Sequence, residues 1–129
     1  MNLNTLYGMT AEELDEYAKV LGFSAKACKT AADKAAMIER RRSRTATVSV
    51  LGMDFDIPIK RAHDKRVSDA MARVGSSDGA AEEALALLLG NEQMADLVEA
   101  CTDDDGTVDV DAMGLAYVKI VTSDELKNF

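Results

Sequence analysis

The sequence predicts an α+β protein that is mainly helical, with an N-terminal helix–loop–helix, one β-hairpin and then a bundle of about four helices. Apolar residues recur at helical spacing over most of the chain, whereas residues 45–59 alternate between apolar and polar. Hydrophobic residues make up 47% and aromatic residues only 5%, and most of the apolar residues are Ala, Leu, Val and Met, a composition that favours helices. We expect two parts: a helix–extended loop–helix motif over residues 1–44, and the hairpin with its helices over residues 45–129.

The first predicted helix begins after Thr10. Thr10 and Glu13 have the spacing of a capping box, in which the hydroxyl and the carboxylate each accept a hydrogen bond from a backbone N–H group. The helix has one apolar face, made of Leu14, Tyr17, Ala18 and Leu21. Gly22 is expected to end this helix, because glycine readily adopts the left-handed conformation found after helix C-termini. Residues 23–29 are then expected to form an extended loop.

A second helix is expected to begin after Thr30, whose hydroxyl is suited to capping. Four residues of this helix are expected to face inward: Ala32, Ala35, Ala36 and Ile38. The helix ends in a basic run that contains Arg40, Arg41, Arg42 and Arg44. Such a run either contacts phosphate groups or forms a solvated helix end, where positive side chains complement the helix dipole.

A β-hairpin is expected next. Residues 45–51 alternate and contain the β-branched residues that favour strands. Gly52 and Met53 are expected to form a two-residue type II′ turn, in which glycine supplies the positive φ. The second strand has three apolar residues on one face: Phe55, Ile57 and Ile59. Pro58 has no N–H group to donate, so this strand is expected to end there or to lie at a sheet edge.

Four helices are expected after the hairpin. The first covers residues 60–74, and a loop over residues 75–79 leads to a nearly all-apolar helix over residues 80–89. Asn91 is expected to cap the third helix, in which Met94, Leu97, Val98 and Cys101 line up. The fourth covers residues 109–121 and is expected to be followed by a polar, frayed tail.

The charge is unevenly distributed along the chain. The net charge of the chain is −8. Residues 1–75 contain 13 Lys/Arg and 10 Asp/Glu, a net charge of +3. Residues 76–129 contain 2 Lys/Arg and 13 Asp/Glu, a net charge of −11. The acidic C-terminal part would repel a phosphate backbone. It is interpreted either as a solubilising surface or as a surface that binds a partner.

No residue pattern predicts catalysis, a metal site or a cofactor, so we expect a protein that is not an enzyme. His63 is the single histidine, and Cys28 and Cys101 have no metal-binding spacing, which favours free thiols. The acidic turn around Gly106 resembles a calcium loop, but Cys101 would stand at its first position and Ala112 at its twelfth, where carboxylates are needed. The turn is therefore interpreted as a connection between helices.

The sequence also predicts a protein of the cytoplasm that does not enter a membrane. Its first residues lack the basic and apolar blocks of a signal peptide. No apolar run approaches the roughly 20 residues that cross a bilayer, and the longest one, residues 84–89, ends at Gly90.

Residues 10–39 resemble the helix–extended loop–helix motif of SAP, LEM and Rho N-terminal domains, through the capped first helix, the small-residue turn, the lysine next to Thr30 and the apolar second helix. Domains of this kind bind DNA, RNA or proteins. The resemblance therefore implies nucleic-acid binding as one alternative function. Its candidate contact residues are Lys29, Arg40, Arg41, Arg42 and Arg44.

The order of elements in the rest of the chain looks like that of tail assembly chaperones of long-tailed phages and prophages. The resemblance rests on the hairpin over residues 48–59, the helix that opens with Lys60 and Arg61, the Ala/Leu-rich helix, the segment 89–94 and the Asp-rich turn before a final helix. It implies a non-catalytic protein of the bacterial cytoplasm that holds the tape-measure protein, recruits tail-tube subunits and does not remain in the virion.

Four apolar residues are candidates for partner binding under this interpretation: Phe55, Ile57, Met71 and Met94. A hairpin edge and flexible methionine side chains both suit reversible binding of other proteins. A third alternative is a structural virion protein such as a connector subunit.

Overall fold

The computed structural model describes residues 1–127, which form two compact units: unit 1, residues 1–44, and unit 2, residues 45–127. It confirms the mainly helical α+β class, with N-terminal helices, one antiparallel hairpin and then several helices. Unit 1 contains helices α1 (Leu3–Tyr7), α2 (Ala11–Val20) and α3 (Ala31–Arg42). Its core contains buried residues from all three helices and the connecting loop: Leu6, Leu14, Ala18, Ala25, Ala35 and Ile38.

The predicted caps of unit 1 are confirmed. Thr10 Oγ1 accepts a hydrogen bond from the Glu13 N–H group at 3.2 Å, and Glu13 Oε1 accepts one from the Thr10 N–H group at 3.0 Å. Thr30 Oγ1 accepts from the Asp33 N–H group at 3.1 Å, so α3 begins where expected. Because these caps satisfy N–H groups that have no partner inside a helix, a local sequence signal is enough to place them.

Two features of unit 1 differ from the prediction. Helix α1 was not expected, because five residues are too few to show a helical period. Ala32 was expected to face inward but is exposed, and the charged residue Lys34 is buried in its place. Lys34 is accommodated because its ammonium group has polar partners inside the unit.

Unit 2 begins with the hairpin, which consists of β1 (Thr45–Val50) and β2 (Met53–Pro58). Its turn differs from the predicted type II′ turn at residues 52–53. Leu51 and Gly52 form the turn, with φ values of 54° and 74°, and Val50 pairs with Met53. Two positive φ values in succession identify a type I′ turn, whose twist matches that of the strands. The alternation is as predicted: the inner face consists of Ala46, Val48, Val50, Phe55 and Ile57, all buried.

The helices of unit 2 are α4 (Ile59–Ala62), α5 (Lys65–Arg73), α6 (Ala80–Ala100), α7 (Val110–Val121) and α8 (Asp124–Lys127). The single helix predicted over residues 60–74 is therefore divided, because Asp64 caps α5 by accepting a hydrogen bond from the Arg66 N–H group at 2.8 Å. Ile59 belongs to α4 and not to the strand. The prediction of a frayed tail is wrong for residues 124–127, because they form α8 and Leu126 is buried in the core. Residues 128–129 lie outside the described residues.

Helix α6 is kinked at Gly90, where φ is 79° and ψ is 170°. The predicted interruption between two helical segments is confirmed, but Gly90 and not Asn91 is the non-helical residue. The kink frees carbonyl groups at the end of the first segment, and Arg61 Nη1 donates a hydrogen bond to the Leu88 carbonyl oxygen at 3.2 Å. Arg61 therefore stabilises the kink from outside the helix.

Replacing Gly90 with alanine is expected to lower the free energy of unfolding by about 1–3 kcal/mol, because this backbone conformation is almost restricted to glycine. A Cβ atom at Gly90 would also lie 3.2 Å from Arg61 Nη1. The matched control is Gly114→Ala in α7, where the added Cβ meets nothing within 4 Å. This change is expected to stabilise the protein by about 0.5–1 kcal/mol. Urea titration of both variants measures the difference, and equal effects would contradict the special role of Gly90.

Candidate protein-binding surfaces

Helix α7 exposes apolar side chains on the side opposite its buried residues. Its buried side consists of Met113, Ala116 and Ile120. At about 100° per residue, its outward apolar residues fall within an arc of about 140° on the other side. They are Val110, Leu115 and Val118, which are 67%, 47% and 54% exposed. We call these three residues the α7 outer face.

The two units differ in charge. Unit 1 holds 8 Lys/Arg and 6 Asp/Glu, a net charge of +2, and unit 2 holds 7 Lys/Arg and 17 Asp/Glu, a net charge of −10. The exposed apolar residues of α7 thus belong to a strongly acidic unit. A net charge of this size keeps a protein soluble despite exposed apolar surface and favours partners of opposite charge.

The outer edge of β2 is closed by a side chain. Gln93, in the second segment of α6, accepts a hydrogen bond from the Asp56 N–H group through Oε1 at 2.8 Å and donates one to the Asp56 carbonyl oxygen through Nε2 at 2.8 Å. Its carboxamide therefore occupies both backbone groups, as a neighbouring strand would. Pro58, which has no N–H group, follows on the same strand.

The outer edge of β1 has no such cover. Within residues 1–127, no backbone group of Thr47 or Ser49 that points away from β2 has a hydrogen-bond partner. The β1 side chains that face solvent are small and polar. Thr47 Oγ1 donates to Asp56 Oδ1 at 2.8 Å, and Ser49 Oγ donates to Asp54 Oδ1.

The residues predicted to bind a partner are not gathered in one place. Phe55 and Ile57 lie in the core, with Phe55 only 2% exposed, so their side chains present almost no surface to a partner. Alternation identified their face but could not tell whether the protein's own helices cover it. Met71 is 38% exposed and lines a cavity of about 200 Å³ together with Val67 and Leu126, and Met94 is half-buried.

The residues predicted to bind nucleic acid are divided as well. Arg41 lies over the Phe23 ring, with 4.6 Å between its Cζ and the ring centroid, and Arg42 Nη1 donates to the Met1 carbonyl oxygen at 3.2 Å. These contacts stabilise unit 1 internally. The exposed members are Lys29, Arg40 and Arg44.

An acidic group lies next to the basic run. Tyr7 Oη donates a hydrogen bond of 2.6 Å to Glu39 Oε2, and this bond raises the pKa of Tyr7. Glu39 immediately precedes Arg40, so its carboxylate adds negative charge at the C-terminal end of α3. The arrangement weakens the positive potential that would attract a phosphate backbone.

The cysteine thiol and the acidic turn that could have supported catalysis or metal binding lie in environments that do not favour either. Burial, together with the nearby Asp109 carboxylate, raises the pKa of the Cys101 thiol, which disfavours the reactive thiolate. In the acidic turn, hydrogen bonds from the Thr107 side chain and then from the Thr107 N–H group lower the pKa of Asp105, and the N–H group donates to Asp105 Oδ1 at 2.9 Å. Among residues 1–127, no three His, Cys, Asp or Glu side chains are grouped so that they could hold a metal ion.

The described part of the chain contains no helix with the length and apolar character needed to cross a membrane. Comparison with protein families, with characterised proteins and with solved structures found no match to this chain.

Proposed function

We propose that this protein binds other proteins without catalysing a reaction, as a tail assembly chaperone of a long-tailed phage or prophage. Its clients are then the tape-measure protein and the tail-tube protein, in the cytoplasm of the bacterial host. The observation that supports the proposal best is the α7 outer face. It presents three large apolar side chains to solvent on a helix whose other side already fills the core.

Exposing these side chains has a cost that a purely structural helix would avoid. A surface helix with polar residues in these positions would fold equally well and would be less prone to aggregate. Several exposed apolar residues on one helix are typical of a surface that is covered by a partner. The net charge of −10 of unit 2 keeps the uncovered form soluble, which a chaperone that waits for its client requires.

The double substitution Leu115→Ser and Val118→Ser is expected to weaken client binding by about tenfold or more, because it removes two apolar contacts without adding charge. The full chain is co-expressed with the tape-measure protein encoded in the same genome, and recovery of the complex and its dissociation constant are measured. Val20→Ser is the matched control, because Val20 is 82% exposed but lies in unit 1. Circular dichroism checks that both variants remain folded.

Two outcomes would contradict the proposal. In the first, neither the tape-measure protein nor the tail-tube protein is recovered with the wild-type chain. In the second, recovery depends on nucleic acid and disappears after nuclease treatment or at high salt. That result would favour the alternative function through the exposed basic residues of unit 1.

A further inference from the structure

We propose that the outer edge of β1 is a docking site for an extended, positively charged segment of a partner protein, which adds to the hairpin as a third strand. The inference rests on the proposed function in one respect only, namely that the partner is a protein. It assigns a second surface, distinct from the α7 outer face, and a chemical class of ligand.

The hydrogen bonds of Gln93 establish which backbone groups point outward. In an antiparallel pair, alternate residues direct their N–H and C=O groups away from the neighbouring strand. Asp56 is such a residue, because both of its backbone groups bond to Gln93. Thr47 is opposite Asp56, and Ser49 is opposite Asp54. Thr47 and Ser49 therefore direct their backbone groups to the outer edge of β1.

The two edges of the hairpin differ in their protection against pairing with another strand. The β2 edge carries the Gln93 carboxamide and Pro58, both of which prevent another strand from pairing. Strand β1 has the sequence TATVSV, with no charged residue and no proline, and the outward backbone groups of Thr47 and Ser49 have no partner in the described chain. Edges are usually protected by charge, proline or a covering element, so a bare β-branched edge is typical of a strand acceptor.

Charge identifies the occupant. Asp54 and Asp56 are exposed on the outer face, and hydrogen bonds from Ser49 and Thr47 hold their carboxylates toward β1. A third strand would lie about 4.8 Å beyond β1, close enough for a Lys or Arg side chain to reach over the small Thr47 and Ser49 side chains. A second copy of unit 2 would bring another net charge of −10, which disfavours self-pairing. The segment is therefore expected to alternate cationic and apolar residues.

The first test uses the full-length, ¹⁵N-labelled protein and the peptide acetyl-Lys-Val-Lys-Val-Lys-Val-amide as probe. Binding is expected to slow hydrogen exchange of the Thr47 and Ser49 amides by about tenfold or more, because each becomes hydrogen-bonded. A Lys-Pro peptide of the same charge is expected to give no protection, since it cannot form a strand. A Glu-Val peptide is expected not to bind. Protection confined to other residues, or equal protection by the Lys-Pro peptide, overturns the inference.

The second test removes one outward N–H group. Thr47→Pro is expected to weaken binding of the Lys-Val peptide by about tenfold, whereas Thr47→Ala, which keeps the N–H group, is expected to change it by less than about threefold. Equal affinities of the two variants overturn the inference. If Thr47→Pro does not fold, the same comparison is made with Ser49→Pro and Ser49→Ala, and the exchange result on the wild-type chain remains decisive.

Failure of this inference is distinguishable from failure of the proposed function. Suppose that the tape-measure protein binds, but the Thr47 and Ser49 amides still exchange freely in its complex and in the presence of the Lys-Val peptide. The β1 site is then wrong and the proposed function stands. If the Lys-Val peptide protects both amides but no tail protein binds, the strand-binding site stands and the proposed function is wrong.

Discussion

Replacing Phe55 with alanine is expected to lower the free energy of unfolding of unit 2 by about 3–5 kcal/mol. The Phe55 ring is 2% exposed and lies on the inner face of the hairpin, opposite Val48. Alanine would leave a cavity that the close-packed surroundings fill only in part. Urea titration followed by circular dichroism measures the loss, and the same variant in a client-binding assay shows whether Phe55 acts through stability alone.

The control is Met71→Ala, which alters another residue first considered for partner binding. Because Met71 is 38% exposed, its loss is expected to cost less than about 1 kcal/mol. A similar, small cost for both substitutions would contradict the assignment of Phe55 to the core. It would mean that the ring contributes little to folding and is available to a partner.

Replacing Lys34 with alanine is expected to lower the free energy of unfolding of unit 1 by about 2–4 kcal/mol. The Lys34 ammonium group donates to Asp15 Oδ1 at 2.7 Å and to the Ala25 carbonyl oxygen at 3.0 Å, so one side chain joins α2, the extended loop and α3. Its side chain is 7% exposed and that of Asp15 is 31% exposed. The substitution leaves the Ala25 carbonyl and a partly buried carboxylate without this partner, and the exposure of Asp15 limits the loss.

The matched control is Lys26→Ala, which removes an exposed lysine from the same loop and is expected to change stability by no more than about 0.5 kcal/mol. Unfolding is followed through NMR signals of residues 11–42 in a urea titration of the full chain. If the two lysine variants unfold at the same urea concentration, the buried ion pair does not hold unit 1 together.

Local signals accounted for most of the fold. The capping box at Thr10, the cap at Thr30 and the alternation that faces Phe55 and Ile57 inward each depend on residues close in sequence, and the structure confirms them. An interruption after residue 89 was also predicted from the end of the apolar run, although Asn91 was expected as the cap and Gly90 is the non-helical residue. These features required no knowledge of tertiary contacts.

Other features depend on residues far apart in sequence. Helices α1 and α8 are short and are held by burial of Leu6 and Leu126, which no short-range period reveals. Lys34 is buried because Asp15 and the Ala25 carbonyl receive it, although a lysine in a helix predicts a solvent-facing position. The type I′ turn places Leu51 at a positive φ, which its residue type does not favour.

The candidate binding surfaces could not be predicted from the sequence. Apolar residues of α7 looked alike in the sequence, and only the direction of packing separates Met113 and Ile120 from Leu115 and Val118. Gln93 closes one hairpin edge across 37 residues of sequence, so the difference between the two edges has no local signal.

The order of genes around the gene for this protein tests the central proposal most directly. Sequencing of the flanking region is expected to place it between a gene for a major tail protein and a very long gene for a tape-measure protein. A position among replication or regulatory genes would contradict the chaperone function and would direct attention to nucleic-acid binding by the helix–loop–helix of unit 1.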